Sequence, residues 1–512
     1  MIKARMFHPW LVSLVFIMLL AAHNMDQITP AVVLWPCLIS LAGTGVMLGL
    51  VYAIIKNFSR ATLITSLLLV CFYSYGRIFE SAWDFKRFQQ MWHVHLVISF
   101  LMVLVAALLI RIIVARNSAF LELHQFITVV SILLLMFSCF KIITAVMDKP
   151  GSSKPAETRQ SHPVKTEEST ALPDVYYIIT DGYARLDTFK ELYKFDNSPF
   201  IKELEKRGFY IPVQSYSNYA MTFLSLASSL SLNYINDIIA DLGPKRKTRQ
   251  PFYDIIRAPK VAEIFQAKGY RYIHFCTSYG GTEESHTADI LMRQSTLLGN
   301  EFTSVLLRST ALFALAPSVA DLHRFCLAEI KEIPDIQGPT FTFLHLLLPH
   351  NPYVFDKDGK ERANVPLTLQ FKVKTGGWED KQAYVDQTVF LNQKLLEIVD
   401  HILARSTVPP VILIQADHGS ATTVSKGKPY PLATERLAIF NAYYGPDHFK
   451  QALYPTISPV NSFRVLFNSL FQANYELLPE KYYFSWYQKP YVVKDVTEKI
   501  QKEISGSANA QK

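Results

Sequence analysis

"DVYYIITDGYAR", Asp174–Arg185, runs six β-favouring residues, Val175–Thr180, straight into an acid and a glycine. A short apolar run bounded by a turn reads as a strand buried on both faces, as strands of parallel sheets are. An Asp in that position is also a common turn former or helix cap, so the stretch gains weight only from repetition. "VILIQADHGS", Val411–Ser420, repeats it, ending on Asp417 and His418 with Gly419 behind them. Further strands are expected over "YRYIHF" from Tyr270, "TFTFLHL" at Thr340–Leu346 and "LAIFNAYY" at Leu437–Tyr444, with helical patterns near Asp386–Ala404 and Pro459–Ala473 between or after them. The alternation predicts an α/β domain with a central, mostly parallel sheet. Strand carboxyl ends line the ligand crevice of such sheets, so acids distant in sequence converge there.

Two carboxylates and an imidazole at those ends suit a divalent ion, Zn2+ or Mn2+ with Mg2+ as a further candidate, and leave a coordination position open. Asp181, Asp417 and His418 are the expected ligands from this reading. "SNYAMTFLSLASSL", Ser217–Leu230, offers a hydroxyl for the open position: Thr222 stands at the start of a helical pattern after a polar turn. A threonine is inert until a metal and a helix N-terminus favour its alkoxide; its plainer reading is a helix cap.

Upstream of this domain the composition changes. Apolar residues crowd into residues 1–147 in five runs, and a bilayer core needs roughly 20 such residues per helix. The run Ala61–Tyr73 is the weakest of the five. Lys3 and Arg5 before the first run also fit a cleaved signal peptide, but no small-x-small site follows. With five spans, Lys3, Arg5, Lys56, Arg60, Arg111 and Arg116 fall on one side, which the positive-inside rule makes cytoplasmic. Everything after Met147 is then external. Arg77, Lys86 and Arg87, in an aromatic-rich loop that suits the interface, lie on the external side and weaken that assignment. Residues 148–173, rich in Pro, Ser, Thr, Glu and Lys, read as a tether, 174–490 as the catalytic domain and 491–512 as a polar tail. The net charge of +8 includes no block that suggests nucleic acid, and the densest basic cluster, "GPKRKTRQ" at Gly243–Gln250, reads as a solvated loop or a contact for anionic lipid. Cys276 and Cys326 lie where a disulfide is permitted.

"DVYYIITDGYAR", "SNYAMTFLSLASSL", "HLLLPHNPY" and "QADHGS" follow one another as in the alkaline phosphatase and sulfatase superfamily. With the membrane runs before them, the chain resembles lipoteichoic acid synthase and the lipid A phosphoethanolamine transferases. The resemblance implies a five-helix transmembrane domain followed by a sulfatase-like domain, with one divalent ion on Asp181, Thr222, Asp417 and His418 and with Thr222 as nucleophile. It also implies that His345 and His350 hold the phosphate or hand a proton to the leaving oxygen. Two departures stand out. The transferases usually have Glu where this chain has Asp181, and Lys426 of "SKGKPY" stands where they have a histidine, so a charged clamp replaces a ligand there. "NYAMTFLS" lacks the C/S-x-P/A-x-R context of sulfatases, which argues against sulfate-ester chemistry.

The function expected is transfer of a phospholipid headgroup phosphate, of phosphoethanolamine or phosphoglycerol type, to an envelope glycan or glycolipid. The enzyme would be a multi-pass protein of a bacterial cytoplasmic (inner) membrane with its catalytic domain on the periplasmic or extracellular side. Arg185, Glu435, Arg436 and Lys426 are expected substrate contacts. A phosphodiesterase or phosphatase, with water as acceptor, and a non-catalytic lipid sensor are the alternatives.

Overall fold

The computed structural model describes residues 6–25, 28, 30–83, 94–116, 120–147, 172–294, 301–312, 318–362, 378–423 and 433–510. They form two compact units: Met1–Gly151 with Thr296–Pro317 and Pro366–Gln370, and Ser152–Ser295 with Ser318–Val365 and Phe371–Lys512. The tether expected over 148–173 lies almost wholly outside the described residues, as do Lys86, Arg87 and Lys426.

The first unit holds α1 (His8–His23), α2 (Ala31–Ile55), α3 (Phe58–Trp83), α4 (Val94–Ala115) and α5 (Leu121–Met147). Among the described residues four helices are long and apolar enough to cross a membrane: Ala31–Ile55, Phe58–Phe79, Leu96–Ala115 and Leu121–Met147. Four of the five expected spans are of membrane-crossing length, and the first is not confirmed as a span. α1 has 16 residues and rises only ~24 Å, short of a bilayer's apolar thickness, whereas the weakly apolar third run belongs to a full-length helix. The Arg60 guanidinium donates to the Arg116 carbonyl at 2.9 Å, so the α2–α3 and α4–α5 connections meet at one end of the bundle. α5 starts at that end and carries the chain to the other.

A polar chain crosses the apolar interior near that end. Ser66 Oγ lies 2.7 Å from His8 Nδ1, His8 Nε2 lies 2.8 Å from His124 Nδ1, and His124 Nε2 lies 2.8 Å from Ser59 Oγ. Both imidazoles are fully buried. Every ring nitrogen has a partner, which an apolar surrounding requires of buried polar groups. The chain pins α1, α3 and α5 together. Replacing His8 with alanine strips partners from His124 and Ser66, so thermal unfolding of the detergent-solubilised protein should reveal a loss of about 1–3 kcal/mol. An unchanged midpoint would show that the chain bears no load.

The second unit is built on a six-stranded sheet in the order β3-β2-β4-β1-β5-β6, parallel except for β6. Its strands are β1 (Val175–Thr180), β2 (Arg271–Phe275), β3 (Ile290–Met292), β4 (Thr340–Leu346), β5 (Val411–Ala416) and β6 (Asn441–Tyr444). β1 is fully buried; Tyr176 and Ile178 enter one apolar core, and Val175, Tyr177 and Ile179 enter the other. Helices cover both faces, among them Thr222–Ser231, Lys381–Arg405 and Pro459–Phe471. In register, Thr180 pairs with Leu346 of β4 on one side and Ala416 of β5 on the other. The three central strands therefore end level, and the residues just beyond them share one edge.

Three expectations shift in detail. "LAIFNAYY" is strand only from Asn441, because Ala438 and Ile439 turn away to bridge Tyr216 and Ala184. Residues 491–512, expected as a polar tail, contain most of β8 (Lys489–Asp495), which pairs with β7 (Tyr483–Trp486), and the helix Thr497–Ala510, whose Ile500 is fully buried. The basic cluster is not wholly solvated: Arg249 is buried, its guanidinium 5.2 Å from the Phe223 ring centre and 4.9 Å from that of Tyr487. Cys276 and Cys326 are buried free thiols.

Candidate metal centre

The end of β4 at His345 and the turns after β1, β4 and β5 bring Asp181, His345, His350, Asp417 and His418 together. Ligand atoms of Asp181, His350 and His418 lie within 4.8 Å of one another, and so do those of Asp181, His345 and Asp417; Asp181 belongs to both groups. All are buried except His350, which is partly exposed.

Backbone groups aim each side chain. Asp417 Oδ1 accepts from the Gly182 amide at 3.0 Å and from the His418 amide at 2.8 Å, which turns Oδ2 inward. Gly182 has φ +70, and a Cβ on it would stand 2.8 Å from the Trp378 ring and 3.3 Å from that of His350, so only glycine fits this turn. His418 Nδ1 faces the Gly419 carbonyl at 3.0 Å, so Nδ1 carries the proton and Nε2 keeps its lone pair. His350 Nδ1 faces the Asn351 carbonyl at 2.6 Å, which assigns the same tautomer. Thr282 Oγ1 lies 3.1 Å from His345 Nδ1 and orients that ring from behind.

Asp181 Oδ1, His345 Nε2 and Asp417 Oδ2 are buried without a hydrogen-bond partner. Leaving such atoms without a hydrogen bond is costly, and the histidine contacts they do make, His345 Nε2 at 3.5 Å from Asp181 Oδ2 and His418 Nε2 at 3.4 Å from Asp417 Oδ2, leave a donor set that fits a cation. Burial raises the Asp181 pKa, but the surrounding histidines, His350 first, outweigh it and hold the carboxyl well below its ordinary value. Burial and the adjacent Asp181 charge push Asp417 up to about 7. Burial and then the Arg436 charge drive His418 well below its usual value, and burial lowers His350. Both imidazoles are thus neutral, the form that ligates metals.

Thr222 is the first residue of the helix Thr222–Ser231 and is partly exposed, with Oγ1 3.2 Å from His418 Nε2. Arg436 locks this turn to the next: Nε donates to Ala220 O at 3.0 Å, Nη1 to Gly419 O at 3.1 Å and Nη2 to His418 Nε2 at 2.8 Å. Ser217 Oγ donates to Asp417 O at 2.6 Å.

Of the expected substrate contacts, only Arg436 reaches this cluster among the described residues. Arg185 is buried and donates to Asp187, to Ser215 O and to Tyr216 Oη. Glu435 accepts from Ser420 Oγ, the Thr422 amide, and the Thr423 amide and hydroxyl, which fixes the loop leaving His418. Sequence reasoning missed Trp378, whose ring packs 5.0 Å from that of His350, and Thr282. Neither sits in a segment with a motif; the glycine beside Asp181 was the one signal of a close neighbour.

No protein-family model matches the sequence, and no curated protein matches it. Solved structures similar to it include the C-terminal periplasmic domain of phosphoethanolamine transferase EptC from Campylobacter jejuni, with 13% identity over 60% of this chain and 96% of that one and a TM-score of 0.40. The periplasmic domain of EcEptC from Escherichia coli, in complex with Zn, has 12% identity over 65% of this chain and 94% of that one, with a TM-score of 0.42. The soluble domain of lipooligosaccharide phosphoethanolamine transferase A from Neisseria meningitidis has 12% identity over 60% and 90%, with a TM-score of 0.41.

Proposed function

We propose that the protein is a metal-dependent phosphotransferase that takes the headgroup phosphate of a membrane phospholipid onto Thr222 and passes it to an envelope glycan or glycolipid. The observation that carries this reading is the Thr222 hydroxyl, 3.2 Å from His418 Nε2, at a site where two buried carboxylate oxygens and an imidazole nitrogen make no hydrogen bond. Asp181, Thr222, Asp417 and His418 would hold one divalent ion, Zn2+ or Mn2+, once Arg436 Nη2 gives up the His418 Nε2 lone pair that it meets at 2.8 Å. When bound, the ion supplies Lewis acidity, which lowers the hydroxyl pKa and neutralises charge on a phosphoryl oxygen.

The protein's own groups divide the remaining work. His350, its pKa lowered by burial and its Nδ1 on a carbonyl, would take the Thr222 proton. Thr222 Oγ1 bonds to phosphorus as the bond from phosphorus to the diacylglycerol oxygen breaks, and His350 returns the proton to that oxygen. Arg436 holds a phosphoryl oxygen, and the amides opening the helix at Thr222 favour its negative charge. His345, oriented by Thr282, braces Asp181. The acceptor hydroxyl then attacks the phosphothreonine in the reverse sense. The four apolar helices fit an enzyme that shares a membrane with its donor, and the bundle end that carries Lys56, Arg60 and Arg116 suits the cytoplasmic side.

Intact-mass measurement of the full-length protein after exposure to phospholipid vesicles tests this. A headgroup-phosphate adduct localised to Thr222 is expected. Its absence, with headgroup released, would remove the threonine intermediate, and label found only as free headgroup when glycan is present would mark a hydrolase.

A further inference from the structure

The chain between β3 and β4 contributes a helix, Glu301–Arg308, that belongs to the helical unit and not to the sheet. Phe302 and Leu306 are buried in one cluster with Ile17 and Leu20 of α1, Val33 of α2 and Tyr73 of α3. Beyond the helix, backbone meets backbone: the Gly76 amide of α3 donates to Ser309 O at 3.1 Å, and the Ala311 amide donates to Phe72 O at 2.9 Å. Gly76 makes this approach possible. A Cβ there would lie 2.0 Å from the Arg308 carbonyl oxygen and 2.7 Å from Ser309 Cα, and backbone atoms cannot swing aside. Eight residues, 293–300, join Met292 of β3 to Glu301, against 27, residues 148–174, between Met147 and Val175. The shorter link allows much the smaller excursion.

We propose that Glu301–Leu312 is a docking strap, a second attachment of the catalytic domain to the membrane helices, and that it makes the enzyme selective for phosphodiesters carried by membrane lipids over soluble ones. The selectivity rests on the lipid-donor reading above. One long covalent link lets a domain wander over distances on the order of tens of ångströms, and a second, short one confines it and raises the effective concentration of donors lying in the membrane plane.

The test uses full-length protein in lipid nanodiscs and two variants: Gly76→Val, which fills the approach on α3, and Ala311→Pro, which removes the strap's own donor and leaves α3 untouched. In the parent protein the amides of residues 301–312 should resist hydrogen exchange, and both variants should expose them. Release of headgroup from embedded phospholipid should fall at least about tenfold, while hydrolysis of soluble bis(p-nitrophenyl) phosphate stays unchanged. Fast exchange across 301–312 in the parent protein overturns the docking, whatever the activity. Exposed segments with undiminished lipid cleavage, or equal losses on both substrates, overturn the selectivity. Should the parent protein turn over neither substrate, the lipid-donor reading falls and takes the selectivity with it, and exchange still decides the docking.

Discussion

Replacing Thr222 with alanine is expected to reduce headgroup release by roughly 10⁴–10⁶-fold, the range seen when a covalent nucleophile is removed from an otherwise intact site. The carboxylates and imidazoles stay in place, because Asp417 and His418 are held by the amides of Gly182 and His418 and by the carbonyl of Gly419 rather than by the threonine. Ion binding should therefore persist, weakened only by loss of one ligand. Steady-state release from labelled phospholipid vesicles, with ion content measured on the same sample, checks both halves. A variant that retains activity would leave the hydroxyl as a helix-opening residue only.

Exchanging Asp417 for asparagine attacks the other half of the site. The amide oxygen can still accept from the Gly182 and His418 amides, so the turn survives, but the inward position now bears an NH2 group with no lone pair for a cation. Affinity for the ion should fall by more than the roughly 10–100-fold that follows loss of a mere orienting partner. Activity should return in part with excess Zn2+ or Mn2+. The parent protein should also show pH-dependent uptake. With Asp417 at about 7, its carboxyl is protonated below that pH and must lose the proton to bind, so affinity weakens as pH falls through 7 and levels off above it. The asparagine variant should lack this component. Ion titrations at several pH values decide the point, and identical pH slopes in the two proteins would contradict it.

Much of this was legible because the sheet's central strands are uniform. Val175–Thr180, Thr340–Leu346 and Val411–Ala416 are buried along their whole length, so their apolar runs end abruptly where the turns begin, and Asp181 and Asp417 stand out against them. β3 escaped notice because it has three residues, none fully buried, and β8 because its second half faces water and reads as polar. Glu435 and Arg185 look like surface charges in sequence; their burial depends on partners such as Ser420 and Ser215 that no local pattern announces. Gly76 is equally silent, one glycine in an apolar helix until the segment at Ser309 is seen against it.

The pairing of β1 with β4 on one flank and β5 on the other carries a consequence for biogenesis. Gly182 and Asp417, whose hydrogen bond seals the site, are 235 positions apart, and no helical hairpin or tight turn can bring them together early. A newly made chain must finish both parallel ladders before a cation at this site could find its full set of donors. Loading of the proposed site would therefore come last, and the ion would mark completed molecules rather than nucleate their maturation.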